Sequence, residues 1–344
     1  MVLELPTTAP RPPIGVRLQS KASIDHLERV VMMTDSPSLT NVFVHESVEA
    51  VVPPEPFTEA VARCPLPTEL VGDDRTYGPT DAVVTYVPRE AFLDAGWVHC
   101  ARAGYDAFDT DAYAAAGVPL TNSSGIHGAT VGEVAIGSML ALARMLHIYR
   151  DHQNEAEWYT PAYERPFTLE GERLCMVGLG TIGQAIAERA AALGMEVVGV
   201  RRSEEAVPGV TEIHPPEDLH AAIAEARFVA IALPHTPATD KLFSTPEFEV
   251  MPADAYLINV ARGPIVDETA LTAAVTNGDI AGAALDVFEQ EPLPADSPLW
   301  DLEEVIVMPH KGSATNRYHE DIAAVVRENV DRMSDGRPLH NRVA

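Results

Sequence analysis

The sequence predicts an α/β protein built from two parallel-sheet units. Three observations point there. Short apolar runs without polar alternation recur along the chain, as expected of strands covered on both faces. Helical patterns separate those runs, which is the sign of crossover connections. One stretch, Leu174 to Ser203, reads strand, glycine turn, helix, strand. At 344 residues the chain is long enough for two cores.

Residues 1–40 carry Pro6, Pro10, Pro12, Pro13 and Pro37, and only Ser23–Met32 has a helical pattern. A poorly ordered N-terminal extension is expected there, and Met32 or Met33 is a candidate translation start. From Asn41 strands and helices alternate. The first unit is expected to contain strand Val42–Val48, helix Pro54–Arg63, strands Thr68–Val71 and Asp81–Tyr86, a short helix Pro88–Ala95, strand Trp97–Ala103, a helix around Asp109–Ala116 and strand Val118–Thr121. Gly128–Tyr149 reads as one long helix, apolar almost all round and hence buried between layers. Asp151–Thr168, polar with Trp158, Tyr159, Tyr163 and Phe167, reads as a crossover.

The second unit opens with apolar residues 174–177. Gly178, Gly180 and Gly183 follow in G-x-G-x-x-G spacing, enclosing Leu179, Thr181 and Ile182. Gln184–Leu193 is helical, Gly194 stops it, and Met195–Val200 is the next strand. Gly178 permits a tight turn, Gly180 lets the backbone approach a pyrophosphate, and Gly183 lets helix pack on strand. The helix start directs free N–H groups and a positive dipole end at phosphates. A bare glycine turn between core strands has the same motif, and the flanking pattern favours dinucleotide binding.

An NAD site usually places a carboxylate about 20 residues on, to accept from the ribose 2′-hydroxyl. Here Arg201 stands 18 residues past Gly183, followed by Arg202 and Ser203. Two guanidiniums and a hydroxyl suit a 2′-phosphate, which a carboxylate would repel. NADP(H) is therefore the expected cofactor, with NAD(H) as the alternative. The unit continues with helix Pro216–Glu225, strand Phe228–Leu233, helix Pro246–Met251, strand Ala255–Val260, helix Glu268–Thr276, strand Ala281–Asp286, strand Val305–Met308 and a closing helix Tyr318–Met333.

Composition sets further bounds. The net charge is −27, from 24 basic and 51 acidic residues, and only Lys21, Lys241 and Lys311 are lysines. Such a field repels nucleic acid and anionic membranes, so neither is an expected partner. It resembles the surfaces of proteins from salt-rich cytoplasm, an expectation that a salt titration of stability would test. Cys64, Cys100 and Cys175 are odd in number and widely spaced, and read as reduced, buried thiols with no metal site. No apolar run approaches the roughly 18 residues that span a bilayer, and the N-terminus lacks a signal pattern. A cytoplasmic location is the expectation.

Three polar residues stand at strand ends of the second unit. Arg262 follows Ile-Asn-Val-Ala, Glu291 follows Ala-Leu-Asp-Val-Phe, and His310 follows Val-Ile-Val-Met-Pro. Ligands bind beyond the carboxyl ends of parallel strands. Singly, each residue reads equally as a surface arginine, a loop acid and a strand-end histidine. Together they supply what hydride transfer to a 2-keto acid needs. Arg262 would grip the carboxylate and polarise the carbonyl. His310 would deliver a proton to the developing alkoxide. Glu291 would orient the imidazole and favour its protonated form.

The sequence resembles the D-isomer-specific 2-hydroxyacid dehydrogenase family over about residues 42–344. The matching runs are Ala101–Asp109, Thr121–Leu142, Met176–Gly183, Asn259–Glu268, Asp286–Pro294, Ser297–Trp300 and Pro309–His310. The resemblance is greatest to glyoxylate/hydroxypyruvate reductases and salt-adapted 2-ketoacid relatives. It implies that Arg262, Glu291 and His310 are catalytic. It implies two Rossmann-like or flavodoxin-like parallel-sheet domains with an interdomain cleft, the cofactor domain (124–312) inserted in the substrate domain (41–123 and 313–344). Hinges would lie near Asn122–Gly125 and Gly312–Thr315.

By the same resemblance Ala103 and Gly104 hold the substrate carboxylate, and Asp286 lies beside the nicotinamide carboxamide. Leu233, Pro234 and His235 lie under the adenosine, and Val260 and Gly312 offer backbone contacts near the nicotinamide. The long helix and the aromatic crossover match a homodimer interface. Two departures stand out. Arg201 replaces the usual Asp, and Lys311-Gly312-Ser313 replaces a more apolar turn, so an inward Lys311 would disfavour imidazolium at His310. Formate dehydrogenases carry glutamine where Glu291 stands, which argues against that activity. A corepressor-like dinucleotide sensor and a 3-phosphoglycerate dehydrogenase are the rival readings. The latter would want extra cations for its phosphate.

Overall fold

A computed structural model of the chain describes residues 39–344. The expectations for the N-terminal extension, the helix Ser23–Met32 and the start at Met32 or Met33 fall on residues outside that range. The described chain forms two all-parallel sheets.

The first sheet has five strands, β1 (Asn41–His45), β2 (Thr68–Val71), β3 (Asp81–Thr85), β4 (Trp97–Cys100) and β5 (Leu120–Asn122), in the order β2-β1-β3-β4-β5. β4 is buried at every position, which explains its unbroken apolar reading around His99. The helix Thr110–Ala116 is started by Asp109, whose carboxylate accepts from the N–H groups of Asp111 and Ala112 at 3.1 Å. The last helix, Tyr318–Ser334, returns to this unit. Its Ile322, Val326 and Val330 pack with Val42, Val44, Phe57 and Trp97 in one core.

The second sheet has seven strands, β6 (Arg173–Val177), β7 (Glu196–Val200), β8 (Glu212–His214), β9 (Phe228–Ile231), β10 (Tyr256–Asn259), β11 (Gly282–Leu285) and β12 (Val305–Val307). Their order is β12-β11-β10-β9-β6-β7-β8, so the chain reverses direction across the sheet between β6 and β9. Ligands of open parallel sheets bind at such a switch point. Apolar clusters cover both faces of this sheet.

Several expected elements are corrected. The stretch Gly128–Tyr149 is two helices, Gly128–Ala143 and Leu146–Asn154, bent by 70°. The break falls at Met145, which has φ 56° although it is neither Gly nor Asn, and the residue is 3 % exposed. Burial of Met145 and Ile148 accompanies the left-handed turn. The first helix is not covered all round: Ala129, Glu133, Gly137, Leu140 and Arg144 form an exposed stripe. Among the described residues no single helix is long and apolar enough to cross a membrane. The helix predicted over Pro216–Glu225 is a short 3₁₀ turn, Pro216–Asp218, running into a helix over Leu219–Ile223. Pro88–Ala95 contributes only a 3₁₀ turn, Glu90–Asp94, and the strand from Val42 stops at His45, where a 3₁₀ turn over Glu46–Ala50 begins. Cys64, Cys100 and Cys175 are free and buried, as expected.

Candidate active site

The glycine turn sits at the switch point. Gly183 packs so closely that a Cβ there would fall 1.8 Å from the Gly178 carbonyl oxygen, so no side chain fits. Gly178 itself has φ 98°. A Cβ on Gly180 would meet nothing within 4 Å, so the space above it is open. The helix Thr181–Ala192 starts with Gly180 as N-cap and has no side-chain cap, leaving its first N–H groups for a ligand. Closed packing behind and open space in front fit a pyrophosphate.

A cavity of about 270 Å³ opens over this turn. Gly180, Thr181, Ile182, Leu233, Pro234 and Val260 line it, as do Ala103 and Arg262. Residues predicted for cofactor, substrate and catalysis therefore share one space. Gly104 and His235 do not line it; His235 pairs instead with Asp240 at 2.8 Å.

Arg201 follows β7, with its side chain 21 % exposed and its guanidinium 3.8 Å from the Glu205 carboxylate. Arg202 is exposed, and Ser203 Oγ accepts from the Glu205 N–H at 3.3 Å. Glu205 is an acid in this loop that the sequence reading did not weigh.

Glu291 and His310 meet. His310 Nδ1 lies 2.7 Å from Glu291 Oε2, and Glu291 Oε1 accepts from the Phe288 N–H at 3.1 Å. Nδ1 is thus committed, which leaves Nε2 as the nitrogen available to a substrate. His310 has φ 52°, a conformation that a non-glycine residue holds only when its surroundings impose it. Asp286 does so. Its buried carboxylate accepts from the N–H groups of Lys311 at 2.9 Å and Gly312 at 2.7 Å. Asp286 and Gly312 are therefore bonded to each other across the segment that follows His310. The Lys311 residue is exposed. Glu291 and His310 line a second cavity of about 580 Å³, walled by Phe288, Leu293, Trp300 and Met308.

Arg262 does not touch that pair. Its side chain is bonded only to the neighbouring Ala261 carbonyl, at 2.7 Å, among the described residues. The loops behind the two sites are nevertheless in contact, because a Cβ on Gly263 would fall 1.9 Å from the Phe288 carbonyl carbon. Three residues that sequence reasoning missed complete the surroundings. Buried Asn259 holds the Arg262 loop, accepting from the Ala261 N–H at 3.1 Å and donating to the Arg262 carbonyl at 3.2 Å. Asn122 donates to the Ala103 carbonyl at 2.6 Å. His127 lines the Arg262 cavity. Both asparagines end a strand, which is the one signal the sequence offers for them.

A family model described as "D-isomer specific 2-hydroxyacid dehydrogenase, NAD binding domain" matches residues 136–312. Glyoxylate/hydroxypyruvate reductase B of Pectobacterium carotovorum is 37% identical over 245 residues, covering 70% of this chain and 76% of that protein. Among solved structures, a D-isomer specific 2-hydroxyacid dehydrogenase from Xanthobacter autotrophicus Py2, in complex with NADPH and MES, superposes with a TM-score of 0.73 at 32% identity, covering 90% of this chain and 98% of that one. A D-isomer specific 2-hydroxyacid dehydrogenase family protein from Aeromonas salmonicida gives a TM-score of 0.73 at 29% identity, covering 90% and 99%.

Proposed function

Because the chain belongs to the D-isomer specific 2-hydroxyacid dehydrogenase family, we propose that it reduces a small 2-keto acid to the D-2-hydroxy acid with NADPH. The observation that carries this reading is the 2.7 Å Glu291–His310 pair at the carboxyl end of the dinucleotide-binding sheet. With its pyrophosphate held at the glycine turn, a reduced dinucleotide would supply the hydride for the carbonyl carbon. His310 gives its Nε2 proton to the carbonyl oxygen as charge develops there, and Glu291 stabilises the imidazolium that donates. Arg262 binds the carboxylate from the cavity it shares with Ala103. Hydride and proton together yield the hydroxyl, and His310 is left neutral.

The substrate domain comprises residues 41–123 and 313–344, and the cofactor domain 124–312. Closure about the connections near Asn122–Gly125 and Gly312–Thr315 brings the Ala103 loop of the substrate domain over Arg262 and His310 of the cofactor domain and excludes water. Arg201 and Ser203 favour NADPH over NADH. A second copy of the chain covers the crossover, where Trp158 and Tyr163 are 96 % and 93 % exposed and Leu146 also lies open.

The test is a panel of glyoxylate, hydroxypyruvate and longer 2-keto acids with NADPH and with NADH, followed by loss of reduced-cofactor absorbance. Turnover is expected, faster with NADPH. A chain that binds the dinucleotide but oxidises none of it with any 2-keto acid defeats the proposal.

A further inference from the structure

We propose that His127 is a second hydrogen-bond donor to the substrate, giving an N–H beside Arg262 to an oxygen of the 2-keto acid other than the one reduced. The inference rests on the reductase reading above and assigns that site a further residue.

His127 immediately precedes the helix Gly128–Ala143, but its side chain makes no cap bond to that helix. It lines the same cavity as Arg262, Ala103 and Gly180. Its Nε2 lies 3.0 Å from the hydroxyl of Tyr318, the first residue of the last helix. That bond ties the helix packed on the dinucleotide turn to the helix packed on the five-stranded sheet, across 191 residues of sequence. Such an anchor fixes the plane of the imidazole and leaves one ring nitrogen, Nδ1, with no hydrogen bond among the described residues.

The tautomer follows from the partner. Tyr318 has one hydroxyl hydrogen, and His127 Nε2 is its only bonded neighbour among the described residues. Either assignment leaves one hydrogen without a protein partner: Nε2–H donating would strand the phenol hydrogen on Tyr318, which does not line the cavity, whereas the phenol donating leaves the spare hydrogen on the His127 ring, which does, so the phenol donates to Nε2. Burial pushes the Tyr318 phenol up to about 12, so it keeps that proton. Nδ1 then carries the ring hydrogen and is a donor. Burial holds the imidazole below its usual pKa, with the Arg262 cation adding to this and Asp321 opposing it. The ring is therefore a neutral donor beside a cation, a combination that suits an oxygen-rich anion. In this arrangement Tyr318 is a positioning residue.

Steady-state kinetics of the full chain with glyoxylate, pyruvate and hydroxypyruvate at saturating NADPH test the assignment. His127→Phe removes the donor and should raise substrate KM at least about tenfold, with kcat and the NADPH KM within about twofold. His127→Asn places an amide N–H where Nδ1 lies and should recover part of that loss. Tyr318→Phe, which frees the ring without removing it, should give a smaller rise. A rise for all three substrates places the N–H on the carboxylate, and a rise for hydroxypyruvate alone places it on the C3 oxygen; either supports the inference. Unchanged KM for all three in His127→Phe overturns it. So does a loss of kcat and thermal stability that Asn fails to recover. A wild-type chain that reduces none of the three and none of the longer 2-keto acids overturns the reductase reading as well, whereas turnover with unmoved KM removes His127 alone.

Discussion

The two sheets share an architecture and differ in what they bury. The seven-stranded sheet is filled almost wholly by aliphatic and aromatic side chains, and its buried polar groups, Asn259 and Asp286, stand at strand ends where they hold loops. The five-stranded sheet carries a polar chain through its interior. Trp97 Nε1 donates to Thr121 Oγ1 at 2.9 Å, and His99 bridges Thr121 Oγ1 at 2.8 Å and Ser123 Oγ at 3.0 Å. Ser123 Oγ in turn donates to the Cys100 carbonyl at 3.2 Å. Apolar packing stabilises regardless of pH, whereas a buried polar chain stabilises only while each member keeps the protonation state its partners need. One sheet is an apolar platform for chemistry; the other carries a titratable group within its interior.

The largest expected effect falls on the platform's rim. His310→Ala and Arg262→Ala should each lower kcat/KM by at least about two orders of magnitude. Thermal stability should hardly move, because the His310 side chain is 48 % exposed and Arg262 bonds, among the described residues, only to its neighbour's carbonyl. Near-normal turnover in either variant removes that residue from the mechanism. A large fall in melting temperature would show that the rim is not separable from the core beneath it.

The same contrast explains what could be read in advance. Strands buried on both faces leave an apolar run in the sequence, so β6, β7 and β9 to β12 were legible. β8 was not: Glu212–His214 is a short, partly exposed edge strand without such a run. The glycine turn was legible because packing excludes a side chain at Gly183. The break at Met145 was not, since neither Gly nor Pro marks it and burial of the side chain accompanies the turn. Arg262, Glu291 and His310 stand out in the sequence as candidates because their chemistry is recognisable in order along the chain. The structure brings only the last two into contact. His127 escaped notice because its meaning lies in Tyr318, far away in sequence.

Acid should separate the two sheets next. Full burial lowers the pKa of His99 from 6.5 to about 3. The unfolded chain therefore takes up a proton at this position as pH falls through 6.5, while the folded chain does not until about 3. Stability present above pH 6.5 is lost in that window at about 1.4 kcal/mol per pH unit. His127 and His147, beside the seven-stranded sheet and only half-buried, are also lowered chiefly by burial and act in the same direction, so that unit responds to acid less and not at zero. Trp97 is buried beside His99, whereas Trp158 and Trp300 are 96 % and 52 % exposed, so intrinsic fluorescence reports mainly on the five-stranded sheet. Denaturant unfolding followed by that signal should shift to lower denaturant between about pH 6.5 and 4.5, above the range where carboxylates protonate. A midpoint that stays fixed over this range would contradict a neutral, buried His99.

The smallest expected effect concerns the platform's outer edge, where the proposed NADPH preference rests on charge rather than packing. Arg201 follows β7, and its contact with Glu205 at 3.8 Å is long for an ion pair. A pair so loose and exposed on the acid's side contributes little, so the guanidinium can exchange Glu205 for a phosphate. A 2′-phosphate offers more charge and a two-pronged geometry, which favours that exchange. Arg201→Asp removes the cation and supplies an acceptor for a ribose hydroxyl. The ratio of kcat/KM for NADPH over NADH should fall at least about tenfold, with the melting temperature and the five-stranded sheet's acid response unchanged. Glu205→Gln should move the ratio the other way by a smaller factor, since it removes the competing carboxylate and keeps the guanidinium. If Arg201→Asp leaves the ratio where it was, the arginine grips nothing, and cofactor choice resides elsewhere on the rim.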